Sequence, residues 1–228
     1  MLNLFFPKYC VCCHAIGDPL CSECRQKIHF IEKAFCPICG TPFLSGQSRP
    51  CGACTTKPPF YDRHFALFVF DSFSKKIIHD LKYHAGFWTK HVFQPLYREA
   101  YLELLNKELN NIDYIIPIPL HKTKLAKRGY NQSLFLAKTW QKILKKKLLV
   151  NTLMRCANTP SQTGLSRLER TKNLKGAFLT NGAVCFENKN VLLVDDVHTT
   201  GATLNEASKT LKKAGAHMVF ASTLAISI

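Results

Sequence analysis

Apolar positions in this chain fall into runs and stripes only after residue 60; before that, cysteines set the pattern. Residues 63–70 read as a strand, and residues 74–84 carry Ile77, Ile78, Leu81 and Tyr83 at helical spacing. Residues 93–109 read as another helix, and 112–116 as a short buried strand ended by Pro117. The stretch 131–147 is an amphipathic helix with Leu134, Leu136, Ala137, Trp140, Ile143 and Leu144 on its apolar side. Strand-like runs follow at 148–154, 177–179, 191–195 and 218–225. Strands alternating with helices predict an α/β fold, a mostly parallel sheet flanked by helices. Ligands of such sheets sit at the carboxyl ends of strands. Lys57-Pro-Pro59 interrupts any helix or central strand. It divides a cysteine-rich module, residues 1–57, from an α/β domain, residues 58–228.

One strand end carries distinctive chemistry. The apolar run Val191 to Val194 is followed by Asp195 and Asp196, then a turn with Thr199, Thr200, Gly201 and Thr203, then an amphipathic helix from about Ala202. Paired aspartates after a strand often only cap a helix or bind a metal. Here the order of strand, acid pair, hydroxyl-rich turn and helix suits a sugar phosphate. Carboxylates match the two hydroxyls of a ribose. Amides at a helix N-terminus match a phosphate, because orphan N–H groups and the helix dipole both favour an anion.

Charge changes the picture. The 228-residue chain has 31 Lys and Arg against 15 Asp and Glu, a formal net charge of +16. That imbalance points to polyanionic partners: nucleic acid, anionic lipid or phosphorylated substrates. A hydrophobic fraction of 46% is ordinary for a soluble globular protein. No apolar run reaches the length of a membrane span, and the start, Met1 to Pro7, is too short for a secretory signal. The expected location is the cytoplasm, with peripheral attachment to the inner membrane left open.

Nine of the eleven cysteines precede residue 55, and eight of those form the pairs Cys10/Cys13, Cys21/Cys24, Cys36/Cys39 and Cys51/Cys54. Without an export signal, metal binding explains them better than disulfides. Two CxxC turns complete one tetrahedral structural zinc site, so one or two Zn2+ ions are expected. The spacing favours sequential grouping and leaves an interleaved, cross-braced grouping open. Cys12 and His14 compete at the first site, and an iron–sulfur cluster or free thiols are the alternatives. A module this small needs the metal for its folding energy.

Three more segments carry candidate chemistry. Residues 117–132 form a cationic loop after a strand, with Lys122, Lys124, Lys127 and Arg128, then a glycine, then Asn131 at a helix N-cap. Such a loop suits pyrophosphate or a nucleic-acid backbone. Residues 159–176 read as a long polar loop in which Gln162, Arg167, Arg170 and Asn173 close over a phosphorylated ligand. Tyr83, Phe87 and Trp88 lie among Lys82 and His84, a composition that serves stacking on single-stranded bases or simply packing.

The run 191–204 resembles the phosphoribosyl-pyrophosphate (PRPP) motif of type I phosphoribosyltransferases. Taken with the CxxC set, Leu81-Lys-Tyr83, Pro117-Ile-Pro-Leu120, Arg128-Gly-Tyr-Asn-Gln132 and Gln162 with Arg170 and Asn173, nearly the whole chain resembles the ComF family (ComFC, or GntX-like in some members). That family joins an amino-terminal zinc-ribbon module to a type I phosphoribosyltransferase-like domain. The resemblance implies that Asp195 and Asp196 hold the ribose hydroxyls and are the catalytic pair. It implies that His198, Thr199, Thr200, Gly201, Ala202 and Thr203 form the 5-phosphate loop, with Mg2+ accompanying PRPP. It further implies a role in natural transformation, handling incoming single-stranded DNA on the cytoplasmic side of the uptake channel, with a competence helicase as partner. No acceptor-specificity element is recognisable. Two readings therefore stand: a DNA-handling competence protein that keeps a PRPP site, and an active transferase that moves phosphoribosyl from PRPP to a nucleobase-like acceptor.

Overall fold

The structure is a computed structural model and describes residues 9–31, 34–83, 89–100, 102, 106–156 and 174–228. Two one-turn helices, α1 (Ser22–Gln26) and α2 (Gly52–Thr56), each begin directly after a cysteine. The larger unit opens with β1 (Arg63–Val69), α3 (Ser74–Tyr83), α4 (Thr89–Ala100), α5 (Asn106–Leu109) and β2 (Tyr114–Pro117). It continues with α6 (Lys122–Arg128), α7 (Gln132–Leu144), β3 (Lys147–Leu148), β4 (Leu153–Arg155) and β5 (Phe178–Thr180). It ends with β6 (Asn190–Val194), β7 (Val197–His198), α8 (Ala202–Lys213) and β8 (Met218–Ile226).

The main sheet runs β1-β8-β6-β2-β3, with β7 also on β8, and each neighbouring pair is parallel. Both faces are covered, which is why its central strands are apolar throughout. Leu192 and Val194 face a core built with Ile77, Phe93, Leu136 and Trp140 of α3, α4 and α7. Val191 and Leu193 face a second core built with Leu204, Ala207 and Leu211 of α8.

Three sequence expectations need correction. The run 148–154 is not one strand. After Leu149 donates to the Ile115 carbonyl the chain leaves the sheet, and Asn181 captures it through the Asn151 and Thr152 carbonyls. Its second half, β4, pairs antiparallel with β5 in a separate two-stranded sheet. The cationic segment is not a loop either. It is helix α6, started by the His121 side chain accepting from the Thr123 amide and closed by Gly129 in the left-handed region (φ 82°). α4 also begins earlier than expected, at Thr89.

The cysteine module docks on the outer edge of β1. The Ile31 amide donates to the Leu67 carbonyl (3.0 Å) and the Val69 amide to the His29 carbonyl (2.9 Å), with Phe30 and Phe68 bridged antiparallel. This covers an edge that would otherwise present unpaired backbone groups. Cys10, Cys24 and Ile28 join the core of α3 and α4, whereas Cys36, Cys39 and Cys54 form a small cluster of their own.

Candidate functional site

β6 and β7 keep one register along β8, Asn190–Val194 on Met218–Ser222 and Val197–His198 on Ala225–Ile226. Asp195 and Asp196 occupy the two-residue gap between them. The main chain there remains tied to β8, through the Asp195 amide to the Ser222 carbonyl and the Asp196 carbonyl to the Leu224 and Ala225 amides. The acid pair thus sits on a rigid strand end. Both carboxylates are buried. The Ser133 hydroxyl donates to Asp195 Oδ1 (2.8 Å), as does the Asp196 amide (3.0 Å), and Lys82 Nζ lies 2.9 Å from Asp196 Oδ2. Burial first, and the Asp196 charge second, push the Asp195 carboxyl up to about 7, against the pull of Ser133, the Asp196 amide and Lys82. A buried acid held near neutrality is a recurrent property of functional sites.

The turn after β7 leads into α8, whose N-cap is Gly201 in the left-handed region (φ 73°). With no side chain there, the N-cap offers the first turn of α8 no capping oxygen. Thr199 is exposed, Thr200 and Thr203 are half-buried and Ala202 is buried. Thr200 Oγ1 accepts a long bond from the Ala202 amide (3.4 Å). The His198 ring is buried under the turn, its Nε2 3.0 Å from the Tyr61 hydroxyl. The turn, the acid pair and the positive end of α8 therefore meet at one strand end, the arrangement the order of residues predicts.

The segment Arg128-Gly-Tyr-Asn-Gln132 works as a joint around this acid pair. Gly129 ends α6. The Tyr130 hydroxyl donates to the Leu81 carbonyl (2.7 Å), fixing the turn of α3 that carries Lys82. Asn131 caps α7 through the Ser133 amide (3.0 Å) and donates to the Ile118 carbonyl, so Ser133 is aimed at Asp195. Gln132 accepts from Arg128 (2.6 Å), whose guanidinium lies over the Tyr83 ring.

Of the α6 cations, Lys122 and Lys127 are exposed, and Lys124 and Arg128 are half-buried. A cleft of about 1060 Å3 lies between α6, α7 and β4, lined by Lys122, Tyr130, Asn131, Phe135 and Arg155 among others. Burial first, then the Arg155 and Arg128 charges, hold Lys124 below its ordinary value. Burial likewise lowers Arg155, and Asp195 opposes that shift. Arg155 thus bridges the field of the cationic helix and that of the acid pair. Arg167, Arg170, Gln162, Asn173, His84, Phe87 and Trp88 lie outside the described residues.

Both cysteine quartets group sequentially: Cys10, Cys13, Cys21 and Cys24 converge in one, and Cys36, Cys39, Cys51 and Cys54 in the other, with all sulfurs of a set within 4.8 Å of one another. A tetrahedral ion with Zn–S bonds of about 2.3 Å spaces its sulfurs about 3.8 Å apart. Cys13 and Cys21 sulfurs lie 3.8 Å apart, and those of Cys39 and Cys51 lie 3.7 Å apart. Burial raises the Cys10 thiol, yet the amides of Cys21, Cys13 and Cys12 outweigh it and bring the group down to about 6. Burial likewise raises Cys36, and amides of Cys39, Cys51 and Ile38 bring it down to about 7. Cys12 is buried but does not join the converging sulfurs; burial, then Cys10, pushes its thiol up to about 12. The donor sets fit structural Zn2+.

Residues 1–55 match the family model described as a double zinc ribbon domain. Over 224 residues the chain is 34% identical to Competence protein F of Haemophilus influenzae, covering 94% of this chain and 95% of that one. The chain belongs to the ComF family. Another ComF relative, the DNA utilization protein YhgH of Escherichia coli K12, is 31% identical across 95% of this chain and 96% of its own. Competence protein ComFC of Streptococcus pneumoniae is 28% identical across 86% and 83%. Among solved structures, a purine phosphoribosyltransferase from Pyrococcus horikoshii Ot3 aligns with a TM-score of 0.38 at 21% identity, over 61% of this chain and 74% of that one. The glutamine PRPP amidotransferase from B. subtilis aligns at 0.42 and 16%, over 64% and 30%.

Sequence reading of this ComF chain missed Ser133, Lys82 as an ion-pair partner, Arg155, and Tyr61 against His198. Lys82 and Ser133 stand inside or beside quoted motifs, so their position was visible and their partners were not. Arg155, in a three-residue strand, left no comparable signal.

Proposed function

We propose that this protein acts in natural transformation, receiving incoming single-stranded DNA in the cytoplasm, and that its β6–α8 turn holds a 5-phosphoribosyl group. The names of its relatives, competence and DNA utilization proteins, support the first part. So does a net charge of +16, which fits a polyanionic partner. A competence helicase at the inner-membrane uptake machinery is the natural protein partner. No helix among the described residues is long and apolar enough to cross a membrane.

The observation that carries the second part is the union of a buried acid pair with a glycine-capped helix N-terminus at one strand end. In this reading the amides and hydroxyls of Thr199, Thr200, Gly201, Ala202 and Thr203 take the 5-phosphate, with His198 supporting them from below. Asp195 and Asp196 take the ribose hydroxyls. Lys82 and Ser133, which hold those carboxylates, orient them and yield part of their bonds to the sugar. Lys122, Lys124, Lys127, Arg128, Arg167 and Arg170 are assigned in this reading to the pyrophosphate of PRPP or the DNA backbone, and Arg155 is added to them. Mg2+ would supply charge neutralisation to the pyrophosphate when PRPP is bound.

Titrating the purified protein with PRPP and Mg2+, in parallel with a single-stranded oligonucleotide at several salt concentrations, tests both parts. Saturable PRPP binding lost in Asp195→Ala and salt-weakened DNA binding are the expected results. DNA binding that is undetectable or indifferent to salt removes the first part, and no PRPP binding removes the second.

The cleft lined by Arg155 favours a second reading, transfer of phosphoribosyl to a nucleobase-like acceptor, since Arg155 lies within the field of Asp195. That reading requires pyrophosphate release with some acceptor, abolished by Asp195→Ala. An acceptor panel without release leaves binding alone.

A further inference from the structure

Cys39 has two roles in the structure. Its sulfur belongs to the second quartet, and its carbonyl accepts a 2.7 Å hydrogen bond from His64 Nδ1. His64 is fully buried on β1. A carbonyl only accepts, so Nδ1 carries the proton; Nε2 lies 2.9 Å from the Thr223 hydroxyl on β8, which also donates to the Ala225 carbonyl (3.0 Å). Two bonds in the ring plane fix its orientation. The His198 ring stacks on it, centroids 4.4 Å apart and planes 29° apart.

The column ends in backbone on both sides. A Cβ on Gly40, the residue after Cys39, would come 2.7 Å from His64 Nδ1. A Cβ on Gly201 would come 2.7 Å from His198 Nε2 and 3.2 Å from the Tyr61 hydroxyl. Knuckle backbone, His64, His198 and turn backbone are thus in direct contact in sequence, with Tyr61 beside them. Tyr61 lies beside His64, ring centroids 6.2 Å apart. The first quartet lies elsewhere, in the core of α3 and α4 on the opposite face of the sheet.

We propose that the second cysteine quartet, through its ion, braces the turn at the N-terminus of α8, with Tyr61, His64 and His198 as positioning residues for the anion held there. The proposal rests on the phosphoribosyl reading only for the identity of that anion. The knuckle has a small core, so without its metal the Cys39 carbonyl and the Gly40 backbone lose their fixed place. His64 then loses one of its two anchors, and the stack beneath Gly201 loosens. The bland alternative is that the two histidines only fill interior space. It differs in outcome, because a filler does not transmit metal loss.

Hydrogen exchange of the full-length, zinc-loaded protein, read at residues 199–204, separates the two. His64→Phe keeps the ring volume and removes both anchoring bonds. The expected result is retention of both zinc ions with exchange at 199–204 faster by about tenfold, the scale of a lost buried hydrogen bond. His64→Gln, which still donates to the Cys39 carbonyl, restores part of the protection. Cys51→Ser, losing the second ion, speeds the same segment, and Cys13→Ser, losing the first, does not. If His64→Phe fails to fold, Tyr61→Phe removes only the hydroxyl against His198 and Gly201 and is expected to act in the same direction. Unchanged exchange at 199–204 with metal intact, or equal acceleration by Cys13→Ser, overturns the brace. PRPP affinity is measured alongside and is expected to fall about tenfold in His64→Phe. If the wild-type protein binds no PRPP, the phosphoribosyl reading fails while the exchange result still decides the brace.

Discussion

At the scale of single residues, the protein stores electrostatic tension at Asp195. Its folded-state value of about 7 lies well above the ordinary 3.8, because burial and Asp196 both oppose its charge. The folded state therefore binds this proton more tightly than the unfolded chain. The contribution to stability is fully present below about pH 4 and is lost as pH rises through about 7. Asp195→Asn, which keeps an oxygen for Ser133, is expected to raise the unfolding free energy at pH 8 by on the order of 1–3 kcal/mol. The gain should shrink at pH 5; denaturant melts at the two pH values check it, and a destabilised variant at pH 8 contradicts it. Gly201 supplies a second case. Its positive φ and the contact to His198 leave no room for a methyl group. Gly201→Ala is expected to cost about 1–3 kcal/mol and to weaken anion binding at the turn, as thermal melts and phosphate titration will show.

At the scale of elements, the legible parts were those that bury a continuous apolar surface. β1, β2, β6 and β8 announced themselves as apolar runs, and α3, α7 and α8 as stripes, because the sheet is covered on both faces. The acid pair and the turn were legible for a related reason: they follow such a run within the same segment. Where pairing partners decide the outcome, the pattern failed. Residues 148–154 are uniformly strand-like, yet Asn181 pulls their second half into a different sheet. Helix α6 buries no residue fully and so carries no stripe; it exists through its caps, His121 and Gly129. Contacts such as His64 to Cys39 or Lys82 to Asp196 join distant segments and leave no periodic trace. The joint at Tyr130 gives a direct test. Tyr130→Phe removes the bond to the Leu81 carbonyl and is expected to cost about 1 kcal/mol while freeing Lys82 from Asp196. Its α6 neighbour gives another. Loss of Lys122 and Lys127 is expected to lower the salt dependence of oligonucleotide binding by about 0.7 in logarithmic slope per phosphate contact removed.

At the scale of the whole molecule, the two zinc ribbons are built into the α/β unit in different ways. The first shares a core with α3 and α4 and closes the β1 edge. The second touches the interior through His64. Complete metal removal by a strong chelator is therefore expected to lower the thermal midpoint of the entire chain by at least about 10 °C, since several kcal/mol of site energy are folding energy. A midpoint unchanged by chelation would separate the ribbons from the rest. The account as a whole depends on the strand end where acid pair, turn and α8 converge. Amide NMR of the zinc-loaded protein during titration with ribose 5-phosphate tests that convergence most directly. Saturable shifts centred on residues 199–204, with Asp195 and Asp196 following, are the result expected. Shifts confined to the α6 lysines, or none at 199–204 at saturating ligand, would contradict it.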